Sequence, residues 1–218
     1  MIFDTTYDLF NTPEPVRTAL RKAVRDINAG TYTKAERLLQ EQLDEAVARA
    51  PDSTSADYVV ISIYLAIAVA RGKGHNEGVR VIRNALDHIG SIDREEAYQR
   101  PRLTGVLLWL LEDNNETEQA LRVAEEAVRQ FVGTSTDDDG DSNLYIEDVH
   151  LTYATLLLKQ GRTGQALDVL NRVVARSEAS FRKYGPAFWA SEEGKFERFQ
   201  LHAIVRHAKK LIAESSAD

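Results

Sequence analysis

The sequence predicts an all-α protein: about four helical hairpins laid side by side, followed by a C-terminal capping helix. Two observations support this. Apolar residues recur at the three-and-four spacing of one helix face over most of the chain. Between these stretches lie four similar junctions, at Gly30–Ala35, Lys73–Gly78, Asn115–Ala120 and Gly161–Ala166, each ending in a small residue that lets the second helix of a pair approach the first.

The elements follow in order. Residues 1–12 hold Ile2, Phe3, Tyr7, Leu9 and Phe10 without a helical period, and are expected to fold back on the first helix. That helix opens at Thr12-Pro13-Glu14-Pro15. Thr12 suits a cap, and proline is tolerated in a first turn whose N–H groups have no helical partner. Val16, Ala19, Leu20, Ala23, Val24 and Ile27 form its apolar face, and Gly30 ends it because glycine enters the left-handed region without a Cβ clash. The second helix starts near Thr33, presents Ala35, Leu38, Leu39, Leu43, Ala46 and Val47, and stops before Pro51.

The third segment, about residues 56–70, is apolar nearly all round, as expected of a helix buried between neighbours. Its valines and isoleucines also suit a strand, and its length favours helix. The fourth helix carries Val79, Ile82, Ala85 and Ile89. A polar connection then leads to Pro101 and a helix with Leu103, Val106, Leu107, Leu110 and Leu111. The next runs from Ala120 to Phe131. Residues 133–142 read as a solvated acidic loop, and residues 144–160 and 163–180 form the last pair. An aromatic stretch, Phe181 to Phe199, precedes a final amphipathic helix, so the domain reading is an N-terminal segment (1–12), a helical array (13–180) and a C-terminal cap and tail (181–218).

The small residues that open each second helix, Ala35, Gly78, Ala120 and Ala166, stand about 43 residues apart. Ala23, Ala66, Leu108 and Ala154 lie at the matched upstream place. A unit of this size cannot bury its apolar face alone, so neighbours must stack.

These junctions resemble the tetratricopeptide repeat family, in which paired helices have a glycine at the turn, an aromatic two residues later and an alanine five residues later. Gly30, Tyr32 and Ala35 match all three; Gly161 and Ala166 match two. The family repeat is ~34 residues, so this chain is similar to a divergent, long-helix member. The resemblance implies a right-handed α–α superhelix whose first helices line a concave surface that holds a peptide or partner helix. Carried over by register, the inward positions are Arg17, Leu20, Val24 and Asn28 in the first unit and Val60, Ile63, Ile67 and Arg71 in the second. The third unit offers Arg102, Trp109, Glu112 and Asp113, and the fourth Asp148, Leu151, Thr155 and Lys159. The family's clamp for a C-terminal carboxylate needs polar residues where Leu20 and Val24 stand, so that ligand is not expected.

Composition narrows the function classes. A net charge of −7 and a pI near 5.3 disfavour nucleic acid or an anionic membrane as the main partner. No cysteine is present, so disulfides and thiol chemistry are excluded. The first residues lack the basic start of a secretory signal, and no apolar run reaches the ~18 residues of a membrane span; a cytoplasmic protein is expected. Phosphate-binding, nucleophile-elbow and zinc motifs are missing, and no cofactor or metal is expected. Asp137-Asp138-Asp139-Gly140-Asp141 lacks the closing glutamate of a calcium loop.

Arg83-Asn84-Ala85-Leu86-Asp87-His88 matches the short R-N-x-x-x-H pattern of HEPN-type ribonucleases, implying Arg83 and His88 as catalytic groups. Ala85 and Leu86 also fit the repeat as packing residues. The leading expectation is a non-catalytic module that binds another protein or peptide through Arg17, Asn28, Arg71, Arg102, Trp109, Asp148, Thr155 and Lys159. The alternatives are the nuclease and a sensor of small ligands or signal peptides. The aromatic C-terminal segment is a further expected contact, for a homo-oligomer.

Overall fold

The helical spacing becomes helix throughout the part of the chain that the computed structural model describes: Glu14 and residues 16–49, 56–90, 99–131 and 144–216. Among the described residues there are ten helices and no strand. They are α1 (Val16–Asn28), α2 (Tyr32–Arg49), α3 (Ala56–Lys73), α4 (His75–Gly90), α5 (Arg100–Asp113), α6 (Thr117–Phe131), α7 (Leu144–Lys159), α8 (Thr163–Lys183), α9 (Pro186–Ala190) and α10 (Glu192–Ser215). The N-terminal segment, the Thr12 cap and the acidic loop at 137–141 lie outside the described residues.

The ambiguous third segment is the helix α3. Its β-branched residues lower helix propensity by well under ~1 kcal/mol each, whereas Tyr58 to Ala66 are all buried. Burying one such side chain contributes roughly 1.5–3 kcal/mol, so packing decides the state.

Three of the four hairpin turns are alike. The N–H of Thr31 donates to the Asp26 carbonyl at 2.8 Å, that of Glu116 to Leu111 at 2.8 Å and that of Arg162 to Leu157 at 2.9 Å. Each six-to-one bond closes a helix end around a left-handed residue, namely Gly30 (φ 74°), Asn115 (φ 60°) and Gly161 (φ 71°). Asparagine takes glycine's place at Asn115 because its short side chain tolerates this region. The remaining junction differs. Its left-handed residue is Gly74 (φ 108°), whose N–H donates to the Ala70 carbonyl at 3.0 Å. The junction spacing in the sequence set Lys73 in that role; the left-handed residue sits one position later, four rather than five residues ahead of the small contact residue.

The chain divides into two compact units, Met1–Glu116 and Thr117–Asp218. In the first, each helix packs on the next, from α1 on α2 to α4 on α5. The first helices of successive hairpins also meet, α1 with α3 and α3 with α5. Val16, Leu20 and Ala23 of α1, Ala35 and Leu39 of α2, and Ile61, Tyr64 and Leu65 of α3 share one core. Ala23, Ala35 and Ala66 are fully buried. Two joints repeat one arrangement, with the last turn of a first helix resting on the first turn of the preceding second helix. In one, Lys73 Nζ pairs with Glu36 Oε1 at 2.5 Å, and Tyr32 lies against Gly72. In the other, His75 Nε2 meets Asp113 Oδ2 at 2.6 Å, and Asn114 Nδ2 donates to Asn76 Oδ1 at 3.2 Å.

In the second unit α6 packs on α7, α7 on α8, and α10 on both α7 and α8. Ala120, Ala154 and Ala166 are fully buried, as the repeat register requires. Glu147, with none of its surface exposed, accepts two hydrogen bonds from Arg176, Nε at 2.7 Å and Nη2 at 2.9 Å. α10 begins at Glu192, seven residues ahead of the expected Phe199, because the Ser191 hydroxyl accepts from the Gly194 N–H at 3.0 Å and caps it.

Candidate functional site

Side chains accessible on otherwise sealed helices mark the candidate surface. In α5, residues Leu103 to Leu108, Leu110 and Leu111 are buried. Arg102, Trp109 and Glu112 are half-buried and Asp113 is exposed. At ~100° per residue, Arg102, Trp109 and Asp113 fall within about 40° of one another, a narrow stripe along a buried helix. In α3 the corresponding side is closed at Val60 and Ile63, opens partly at Ile67 and ends at the exposed Arg71. α1 shows a broader polar face: Arg17 is half-buried, with its Nε 4.0 Å from the Glu14 carboxylate, and Asn28 is exposed.

The second unit carries a stripe of its own. On α7, Asp148, Thr152 and Thr155 are half-buried and Lys159 is exposed, within about 60° of one another, while Val149, His150, Leu151, Tyr153 and Ala154 are buried. Burial holds the Asp148 carboxyl above its ordinary range. The Thr155 hydroxyl donates to the Leu151 carbonyl at 2.9 Å, so it is spent on its own helix. Sequence register thus placed the polar and aromatic candidates on accessible stripes and missed Thr152. Four apolar positions proposed as inward, Leu20, Val60, Ile63 and Leu151, are core residues instead.

The arginine and histidine of the nuclease pattern both lie on α4. Arg83 is exposed, and the His88 ring packs against Tyr58 with centroids 4.6 Å apart. Five helical positions separate them, which sets their directions about 140° apart. A cleft of about 200 Å³ in the first unit, lined by Lys22, Asp26, Lys34, Arg37, Leu38 and Glu41, is smaller than the ~300 Å³ at which small-molecule pockets begin. No cluster of three metal-ligating side chains occurs among the described residues, and no described helix is long and apolar enough to cross a membrane.

The aromatic side chains of the C-terminal segment pack on one another across α8, α9 and α10. Phe181 stacks on His202 at 4.4 Å, Tyr184 on Phe188 at 4.5 Å, and Trp189 meets Phe181, Tyr184 and Phe188 edge-on or tilted within 5.6 Å. Compared with models of known protein families and with curated proteins, the sequence gives no match.

Proposed function

We propose that the protein is a non-catalytic binding module of stacked helical hairpins, similar in design to tetratricopeptide repeats, that holds a segment of another protein. The observation that carries this reading is the stripe Arg102–Trp109–Asp113 on α5. Most of the rest of α5 is buried, yet this line keeps a tryptophan and two charged groups in contact with solvent. Tryptophan and arginine dominate interface hot spots. The Asp148–Thr155–Lys159 stripe on α7 supports the same role in its own unit, because it sets polar side chains along one side of a helix that is otherwise largely buried. The contact of first helix with first helix, together with the recurring turn-on-turn joints, supports the hairpin-stack design.

The test is affinity capture with the full chain, with bound proteins identified by mass spectrometry and recaptured by purified variants. Trp109→Ala and Lys159→Glu, checked for helicity by circular dichroism, are expected to lose the partner at least ten-fold, equivalent to about 1.4 kcal/mol. A partner retained equally by both folded variants would remove these stripes from the binding role.

A further inference from the structure

α10 presents a solvent face at odds with the acidity of the chain. Its exposed positions from Lys195 to Lys210 comprise five lysines and arginines, two histidines and Phe199, and no acid. The solvent faces of α2 and α6 mix signs, with Arg37 lying 4.0 Å from Glu41 and Arg129 3.5 Å from Glu126, whereas α1 is also basic through its exposed Arg21, Lys22 and Arg25; α10 adds an exposed phenylalanine to its cations. Of the five cations on α10, Lys209 is held by Glu178 of α8 at 2.7 Å and Lys210 lies 3.7 Å from Glu214. Arg198, His202 and Arg206 follow one another at every fourth position, about 6 Å apart along the axis. Phe199 stands beside them with 61% of its surface exposed.

We propose that this Arg198–Phe199–His202–Arg206 face of α10 docks an acidic segment of a partner protein that carries apolar side chains between its carboxylates. Charge complementarity selects the occupant. A second copy meeting this face across a two-fold axis would set arginine against arginine, which is destabilising. A nucleic acid stacks successive bases on several open rings, whereas this face offers one, Phe199; Phe181 is already stacked on His202, and Trp189, Tyr184 and Phe188 pack on one another. A long polyanion also meets the −7 charge of the whole chain, while a short acidic segment meets only the local field. One exposed phenylalanine among cations fits an apolar anchor ringed by carboxylates. Docking here does not depend on the role proposed for the stripes on α5 and α7.

The test is fluorescence anisotropy of a labelled peptide of alternating Glu and Leu, about as long as the face, against the full chain at low and high salt. Binding is expected at low salt, weakened roughly ten-fold by the double variant Arg198→Glu/Arg206→Glu and several-fold by Phe199→Ala, and unchanged by Arg122→Glu on α6 or by Trp109→Ala. No binding, or equal binding by the double variant with its helicity intact, overturns the proposal. So does tighter binding of an oligouridylate that the double variant abolishes, which would make the face a nucleic-acid site. A chain that sediments as a dimer and becomes a monomer on Phe199→Ala overturns it in favour of self-association.

Discussion

The carbonyl oxygen of Ala66 lies 2.8 Å from the point where a Cβ on Gly78 would stand, and the Ala70 Cβ lies 2.7 Å from that point. α3 and α4 are therefore in contact at a place where no side chain fits. Gly78→Ala gains up to ~1 kcal/mol of helix propensity but must push backbone apart, and overpacking costs about 1–3 kcal/mol. Thermal unfolding should occur at lower temperature in this variant. Gly164→Ala in the first turn of α8 meets open space and should leave stability unchanged or raise it slightly.

Asn115 is left-handed at φ 60° in a turn where its counterparts are glycines. Asn115→Gly is expected to hold or raise stability, whereas Asn115→Ala should lower it by about 1 kcal/mol, because Cβ meets the following carbonyl in this region. Urea midpoints of the two variants should move apart, and identical midpoints would discard the strain account.

Arg176 and Glu147 lock α7 to α8 with two parallel hydrogen bonds at a site where the carboxylate is fully buried. Removing one partner strands a buried charge, so Arg176→Met should cost about 3–5 kcal/mol. Arg176→Met combined with Glu147→Leu should recover most of that loss in chemical denaturation, since a hydrophobic pair of similar volume is often neutral.

Burial raises the native pKa of Asp148 above its ordinary 3.8, so folding favours the protonated form. Above that raised value the charged carboxylate costs stability; below pH 3.8 both folded and unfolded states are protonated and the cost vanishes. Asp148→Asn should therefore unfold at a higher temperature than the native chain at pH 7. The difference should shrink as the pH is lowered and be gone near pH 3.

Much of the architecture was legible because it is local. Gly30, Asn115 and Gly161 announce turns by residue type, and the fully buried Ala23, Ala35, Ala120 and Ala166 follow from spacing alone. The stripe positions Arg102, Trp109 and Lys159 were legible for the same reason, since the register of a helix fixes which residues share a side. The Glu147–Arg176 pair was not, because nothing within either helix tells a buried carboxylate from a solvated one until the helices are packed. Leu20, Val60, Ile63 and Leu151 show the same limit, since register gives the direction of a side chain but not whether a neighbour covers it. The basic face of α10 was hidden by an average: a net acidic composition masks a stretch, Lys195 to Lys210, whose exposed charged positions are all basic.

Gly74 alone joins its two helices where each of the three counterparts uses three residues, and its hairpin is also the one whose close-contact position has no side chain at all. The two features are halves of one adjustment, a tighter joint matched by a thinner rod. Transplanting the Gly30 turn into this hairpin, or the Gly74 turn into another, would leave a gap or a collision unless the residue at the contact changed with it. The hairpins are thus not interchangeable cassettes, and a recombinant array assembled from them must move joint and contact residue together.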